Sequence, residues 1–117
     1  MDLNTFNLYL FGGTGDLSNR KLIPAMFRQE TLGNINNDSE IIGLGSRDIS
    51  VDDYTSMVHE SLTKHFPGFN KNDEAWKRFS KRLSYIKIDI NSKKDWKNIN
   101  NIPTNKAVVF YLATPPN

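Results

Sequence analysis

The sequence contains no cysteine. That excludes disulfides, thiol nucleophiles and thiolate metal sites together. It also lacks an excess of charge of either sign. Lys and Arg number 15 against 13 Asp and Glu, a formal net charge of +2, too small to argue for nucleic acid or an anionic membrane as partner. No apolar run approaches the length needed to cross a bilayer. The first residues, Met1-Asp2-Leu3-Asn4-Thr5, offer neither a basic segment nor a sustained apolar stretch. No secretory signal is expected, and a cytoplasmic location follows by default. The sequon Asn37-Asp38-Ser39 is then a chance match. No Gly-Lys-Ser/Thr triplet follows four residues after a glycine, which removes a P-loop. There is no internal repeat, no low-complexity segment, no linker and no cluster that suggests a metal site.

What remains is a chain of 117 residues, 38% hydrophobic and 24% charged, the composition of a globular protein. It is one domain or part of one. Its organising stretch is Phe6-Asn7-Leu8-Tyr9-Leu10-Phe11-Gly12-Gly13-Thr14-Gly15-Asp16-Leu17-Ser18-Asn19-Arg20-Lys21. It reads as a buried strand, a glycine turn and the start of a helix, the order found at the phosphate-binding corner of dinucleotide-binding folds. The usual spacing G-x-G-x-x-G is represented by Gly12-x-x-Gly15-x-x-Ser18, with an extra Gly13. Ser18 is small enough to take the third glycine's place, where helix packs on strand. Glycine permits the tight turn, and the helix start offers unpaired N–H groups to phosphate.

The rest of the chain alternates in kind. Strand one is expected over 6–11 and helix one over 16–30, with Leu22, Ile23, Met26 and Phe27 on its apolar face. Pro24 interrupts that pattern and predicts a break, with the proline near the start of the longer segment. Strand two is expected over 40–45, and helix two over 51–64 with Ser50 as N-cap. A shorter helix is expected over 72–82, capped by Asn72 or Asp73, then strand three over 84–89. A helical piece is expected over 93–99 and strand four over 107–113. The apolar run of strand four lacks alternation, so both of its faces should be covered, as in a parallel sheet. The fold class is therefore α/β, a doubly wound parallel sheet of about four strands in the order 3-2-1-4, short of the complete six. The crevice between strands one and four should receive the cofactor.

The end of strand two separates NAD from NADP. A carboxylate there accepts from the adenine ribose 2′-OH and repels a 2′-phosphate. The segment is Gly45-Ser46-Arg47, with no acid at 46 and an arginine able to form a forked pair with phosphate. Thr14 can add a hydroxyl. NADP is favoured, with NAD still open because Asp48 is near enough to neutralise Arg47. His59 and His65 fall on or just after helix two and read as ordinary surface or half-buried histidines. Lys77, Arg78, Lys81 and Arg82 read as a solvated basic face, Trp76 and Trp96 as packing residues, and Asp16 as a residue that caps or orients the turn.

The string Gly12-Gly13-Thr14-Gly15-Asp16-Leu17-Ser18-Asn19-Arg20-Lys21-Leu22-Ile23-Pro24-Ala25 resembles the N-terminal signature of glucose-6-phosphate dehydrogenases, G-A/G-S/T-G-D-L-A-x-R/K-K-L-x-P. Ile41-Ile42-Gly43-Leu44-Gly45 and Tyr85-Ile86-Lys87-Ile88-Asp89-Ile90 look like that family's second and third strands. Phe110-Tyr111-Leu112-Ala113-Thr114-Pro115-Pro116 is similar to its F-Y-L-A-x-P-P strand end. The resemblance implies a Rossmann-like, NADP-binding N-terminal domain over 1–117, truncated before the catalytic domain. It implies that Gly12, Gly13, Thr14, Gly15, Asp16, Leu17, Ser18 and Asn19 hold the pyrophosphate. Lys21 would lie near the cofactor–substrate junction, and Ser46 and Arg47 at the 2′-phosphate. Asp89 and Ile90 would lie along the adenine, with Thr114 and Pro115 towards the nicotinamide. The family's 2′-phosphate arginine normally stands where Ser46 is, one residue before Arg47. The family's glutamate-lysine-proline motif, its catalytic histidine with partnering aspartate and its sugar-phosphate site have no counterparts in these residues. The chain is expected to be inactive alone, with strand four left partly uncovered and prone to association. Full-length members are expected to be homo-oligomers that act on glucose 6-phosphate. Two other readings share much of this sequence: a stand-alone dinucleotide-binding regulatory module, and a short-chain-dehydrogenase or epimerase-like protein. The latter is disfavoured by Ser18 and by the missing Tyr-x-x-x-Lys pair.

Overall fold

The computed structural model describes residues 2–70, 73–89, 94 and 106–112. Within them the chain runs β1 (Asp2–Phe11), a π-helical turn (Ser18–Leu22), α1 (Ile23–Thr31), β2 (Glu40–Gly45), α2 (Val51–His65), α3 (Glu74–Arg82), β3 (Leu83–Lys87) and β4 (Lys106–Leu112). The four strands form one parallel sheet in the order β3-β2-β1-β4, as the alternation predicts. Leu8 on β1 lies opposite Ile41 on one side and Val109 on the other.

Strand alternation sends side chains to two faces. Leu8, Leu10, Ile41 and Leu83 point to one, where they meet Ile23 and Phe27 of α1, Tyr54, Val58 and Leu62 of α2, and Ala75 and Phe79 of α3. Phe27 is the hub, with Phe66, Phe69 and Phe79 edge-on at 4.9, 5.4 and 5.3 Å between ring centres. Tyr9, Phe11, Ile42, Leu44 and Ile88 build a second cluster on the other face.

The structure departs from expectation at several boundaries. β1 begins before Phe6, because its start pairs with Lys106 and the Phe6 N–H donates to Ser39 Oγ at 3.0 Å. β3 spans Leu83–Lys87 and β4 Lys106–Leu112. Helix one is not continuous: the Ile23 N–H reaches back five residues to the Ser18 carbonyl before α1 begins. Pro24 stands in the first turn of α1, directly after the π-helical turn, where the helical register changes and a residue without an N–H is best accommodated. Asp73, not Asn72, caps α3, accepting from the Ala75 N–H at 3.2 Å. The helical piece expected over 93–99 lies outside the described residues apart from residue 94, and so does Trp96. The unalternating run of β4 calls for cover on both faces, yet Val109, Phe110 and Tyr111 are 44%, 51% and 41% exposed, leaving the strand partly uncovered as expected.

The basic face of α3 also needs correction. Lys77, Arg78 and Lys81 are exposed, but Arg82 is buried, 5% exposed, against the equally buried Glu30 of α1. Its Nε and Nη2 donate to the Glu30 carboxylate at 2.6 and 3.2 Å. The remaining Arg82 donors reach the carbonyls of Ile35, Asn36 and Ser39 at 3.2, 2.6 and 3.0 Å. One side chain therefore fixes α1, α3 and the loop into β2.

Ser50 caps α2 as expected. Its Oγ accepts from the Asp53 N–H at 3.0 Å, and Asp53 accepts in return from the Ser50 N–H. Ser50→Ala is expected to cost about 1 kcal/mol, seen as a fall of a few degrees in Tm by circular dichroism; an unchanged Tm would contradict the cap's role.

Candidate functional site: the glycine corner

β1 stops at Phe11, and the turn over 12–18 begins at its carboxyl end, between β2 and β4. The chain builds β2 and β3 outward on one side of β1, then crosses to place β4 on the other. The glycine corner thus stands at the point where strand order reverses, the place where open parallel sheets bind ligands.

The corner is held from below. The N–H groups of Gly12 and Gly13 both donate to the Leu44 carbonyl, at 2.8 and 3.2 Å, tying the turn to the end of β2. Gly12 has φ of 79°, which a side chain strongly resists. Its carbonyl accepts from the Gly15 N–H at 2.9 Å and from the Ser18 hydroxyl at 2.8 Å. Ser18 is fully buried there, filling the third small position of the motif and closing the turn with its own hydroxyl. Asn19 donates from Nδ2 to the Thr14 carbonyl at 3.3 Å, and the Ser61 hydroxyl of α2 donates to the Asn19 carbonyl. The N–H groups of Asp16, Leu17 and Ser18 occupy the first helical turn, whose donors have no preceding turn to pair with. Asp16 does not cap this turn: it is exposed and paired with Arg20 at 2.9 Å, a surface pair of small energetic weight.

Under the turn lies Tyr54, which the helical pattern of α2 marks only as core. Its ring crosses beneath Gly43 and its hydroxyl approaches Gly13. A Cβ on Gly43 would meet the ring at 2.5 Å, and one on Gly13 would lie 3.1 Å from the hydroxyl. The two glycines admit a close crossing of β1, β2 and α2 that side chains would force apart. Burial, reinforced by the neighbouring Tyr85, pushes the Tyr54 hydroxyl well above the usual tyrosine range, so it stays protonated at neutral pH. Sequence reading had no signal for this contact, since the partners are brought together only by the crossing of β2 and α2.

The end of β2 comes close to the turn. A Cβ on Gly45 would lie 3.7 Å from Thr14 Oγ1. Thr14 and the segment carrying Ser46 and Arg47 therefore share one end of the sheet. Ser46 and Arg47 are exposed. No ion pair joins Arg47 to Asp48 among the described residues, so the guanidinium is not neutralised by that neighbour. The loop is anchored by Tyr85, whose hydroxyl donates to the Arg47 carbonyl at 2.8 Å. Asp89 is exposed just beyond β3, and Lys21 is exposed on the π-helical turn. Ile90, Thr114 and Pro115, assigned to the adenine and nicotinamide sides, lie outside the described residues. His65 is exposed; His59 is half-buried and edge-on to Phe69 and Trp76 at 5.3 Å, away from the corner. No group of metal ligands forms among the described residues. No helix among them is long and apolar enough to cross a membrane.

A parallel α/β sheet whose first strand runs into a glycine turn with first-turn amides at the switch point defines a dinucleotide-binding domain of the Rossmann type. Residues 9–117 match the family model described as glucose-6-phosphate dehydrogenase, NAD binding domain. The chain belongs to the glucose-6-phosphate dehydrogenase family. Similar relatives include the glucose-6-phosphate 1-dehydrogenase of Rhizobium meliloti, 31% identical over 114 residues, covering 95% of this chain and 23% of the relative. That of Buchnera aphidicola subsp. Baizongia pistaciae is 35% identical over 113 residues, with the same coverage. The crystal structure of glucose-6-phosphate 1-dehydrogenase from Mycobacterium avium superposes with a TM-score of 0.86 at 27% identity, covering 98% of this chain and 25% of that one. A glucose-6-phosphate dehydrogenase in complex with its substrate glucose-6-phosphate superposes with a TM-score of 0.82. The chain therefore spans about a quarter of the length of the relatives it matches. The membership removes the short-chain-dehydrogenase or epimerase reading.

Proposed function

We propose that this chain is the NADP-binding portion of a glucose-6-phosphate dehydrogenase. The enzyme would move hydride from C1 of glucose 6-phosphate to NADP, giving 6-phosphogluconolactone in the pentose phosphate pathway. The observation that carries the reading is the position of Gly12–Ser18 at the carboxyl end of β1, beside the strand-order reversal. The residues present fit a dinucleotide. Gly12 turns at positive φ without a Cβ, and the first-turn amides of Asp16, Leu17 and Ser18 suit the pyrophosphate.

When bound, the nicotinamide supplies the hydride acceptor. The chain's own residues bind and orient. Gly12, Gly13, Thr14, Gly15, Asp16, Leu17, Ser18 and Asn19 hold the phosphates, and Ser46 and Arg47 take the ribose 2′-phosphate. Asp89 and Ile90 flank the adenine, while Thr114, Pro115 and Lys21 lie towards the reacting end. Proton removal from the sugar hydroxyl is assigned to residues outside these 117. A cytoplasmic, homo-oligomeric enzyme is the setting proposed for the whole.

The test is binding. NADP should bind more tightly than NAD by calorimetry, and glucose 6-phosphate added to the chain with NADP should yield no NADPH. Arg47→Ala should weaken NADP about tenfold or more, the weight of a charge-assisted bond to phosphate, and leave NAD unchanged. Failure to bind either dinucleotide would overturn the coenzyme assignment. Tighter NAD than NADP would overturn the NADP preference.

A further inference from the structure

We propose that Tyr85 is the positioning residue that sets the choice between NADP and NAD, by holding the Arg47 loop through its hydroxyl. The proposal rests on the reading that Arg47 meets the 2′-phosphate. Tyr85 belongs to β3, which pairs with β2 so that Tyr85 stands opposite Gly43 and Lys87 opposite Gly45. Its ring leans on the buried Tyr54, 5.3 Å between centres. From that base it reaches along the end of β2. A Cβ on Gly45 would meet the Tyr85 hydroxyl at 2.8 Å, so the phenol passes directly over Gly45. It then donates to the Arg47 carbonyl at 2.8 Å.

This bond has a consequence for the loop. Residues 46–48 are exposed and belong to no helix or strand. Among the described residues this anchor is the hydrogen bond that holds them, while the strand edge is closed by the Ile88 N–H donating to the Gly45 carbonyl at 2.7 Å. The arginine here stands one residue beyond the position the family pattern uses. A guanidinium on a longer lead needs a fixed backbone to arrive at one place, because its forked geometry rewards alignment. Tyr85 fixes the backbone at Arg47 itself. Both tyrosines keep their protons at neutral pH, since burial raises each hydroxyl above its ordinary range. The anchor is therefore a constant donor rather than a switch.

Tyr85→Phe removes the hydroxyl and leaves the ring on Tyr54, so the fold is preserved. NADP affinity is expected to fall about fivefold, the weight of one neutral hydrogen bond, with NAD affinity unchanged. In an Arg47→Ala background, Tyr85→Phe should cause no further loss, because the anchor acts only through the arginine. 2′,5′-ADP should follow NADP, and 5′-AMP should follow NAD. Equal loss of NADP and NAD in Tyr85→Phe would overturn the proposal in favour of a general role for the ring. An additive loss in the double variant would also overturn it. If Arg47→Ala itself leaves NADP unchanged, the reading of Arg47 fails; if Arg47→Ala weakens NADP and Tyr85→Phe does not, Tyr85 fails alone.

Discussion

Arg82→Ala is expected to lower the Tm by roughly 12–20 °C, the equivalent of about 3–5 kcal/mol in a chain of this size. Its partner Glu30 is 1% exposed. With the guanidinium gone, that carboxylate stays buried with its strongest counter-charge lost; Arg78, more exposed, reaches it only at 3.5 Å. The carbonyls of Ile35, Asn36 and Ser39 lose donors at the same time. Most of the cost is this abandoned desolvation rather than the attraction itself. Arg82→Ala combined with Glu30→Ala should therefore be less destabilised than the sum of the single changes. Thermal unfolding of the three variants settles it. A single-variant shift under about 4 °C, or strict additivity, would show that the pair carries little.

The second large effect belongs to the glycine corner. Gly12→Val places a β-branched residue at φ of 79°, a conformation that costs about 1–3 kcal/mol before any ligand is considered. The same change puts methyl groups where phosphate must approach backbone. Dinucleotide affinity is expected to fall roughly a hundredfold, read by calorimetric titration with NADP and with NAD. Gly33→Ala is the matched control. Gly33 also has positive φ, at 74°, but it follows the end of α1, outside the turn over 12–18, and a Cβ there meets nothing within 4 Å. It should lose stability and keep its affinity. Equal losses of affinity in the two variants would mean that backbone strain, not the phosphate site, explains Gly12.

Much of this is legible in the sequence. Strand, turn and helix follow one another within 6–21 because each has a local cause: an apolar run, glycines, and a small residue where the elements meet. The parallel sheet follows from the alternation of strands and helices, and its order from the doubly wound arrangement that the glycine turn implies. Arg82 was missed because charge was weighed without its place in the repeat. Ile23, Phe27 and Glu30 share the buried stripe of α1, and Ala75, Phe79 and Arg82 that of α3. Both stripes step by four and then three and end on opposite charges. That signal was available in the helical period. The supports of the glycine corner were not: Tyr54 under Gly43, Tyr85 over Gly45 and Ser61 on Asn19 depend on how α2 crosses the sheet and how β3 pairs beside β2. No local pattern announces such crossings. The uncovered side chains of β4 differ again. Val109, Phe110 and Tyr111 carry the composition of a buried strand, and composition states what a strand needs without supplying it.

The central place of β1 has a temporal side. The strand precedes both of its neighbours in the chain, and the Phe6 partner on β4, Ala107, follows about a hundred residues later. At about 5–20 residues per second, the first strand waits roughly 5–20 s for that neighbour on the ribosome. Its earliest register can be taken only from β2, which arrives after about a third of the interval. Among the four described strands the β1–β4 pairing is thus the latest to become possible, and its long sequence separation makes it slow.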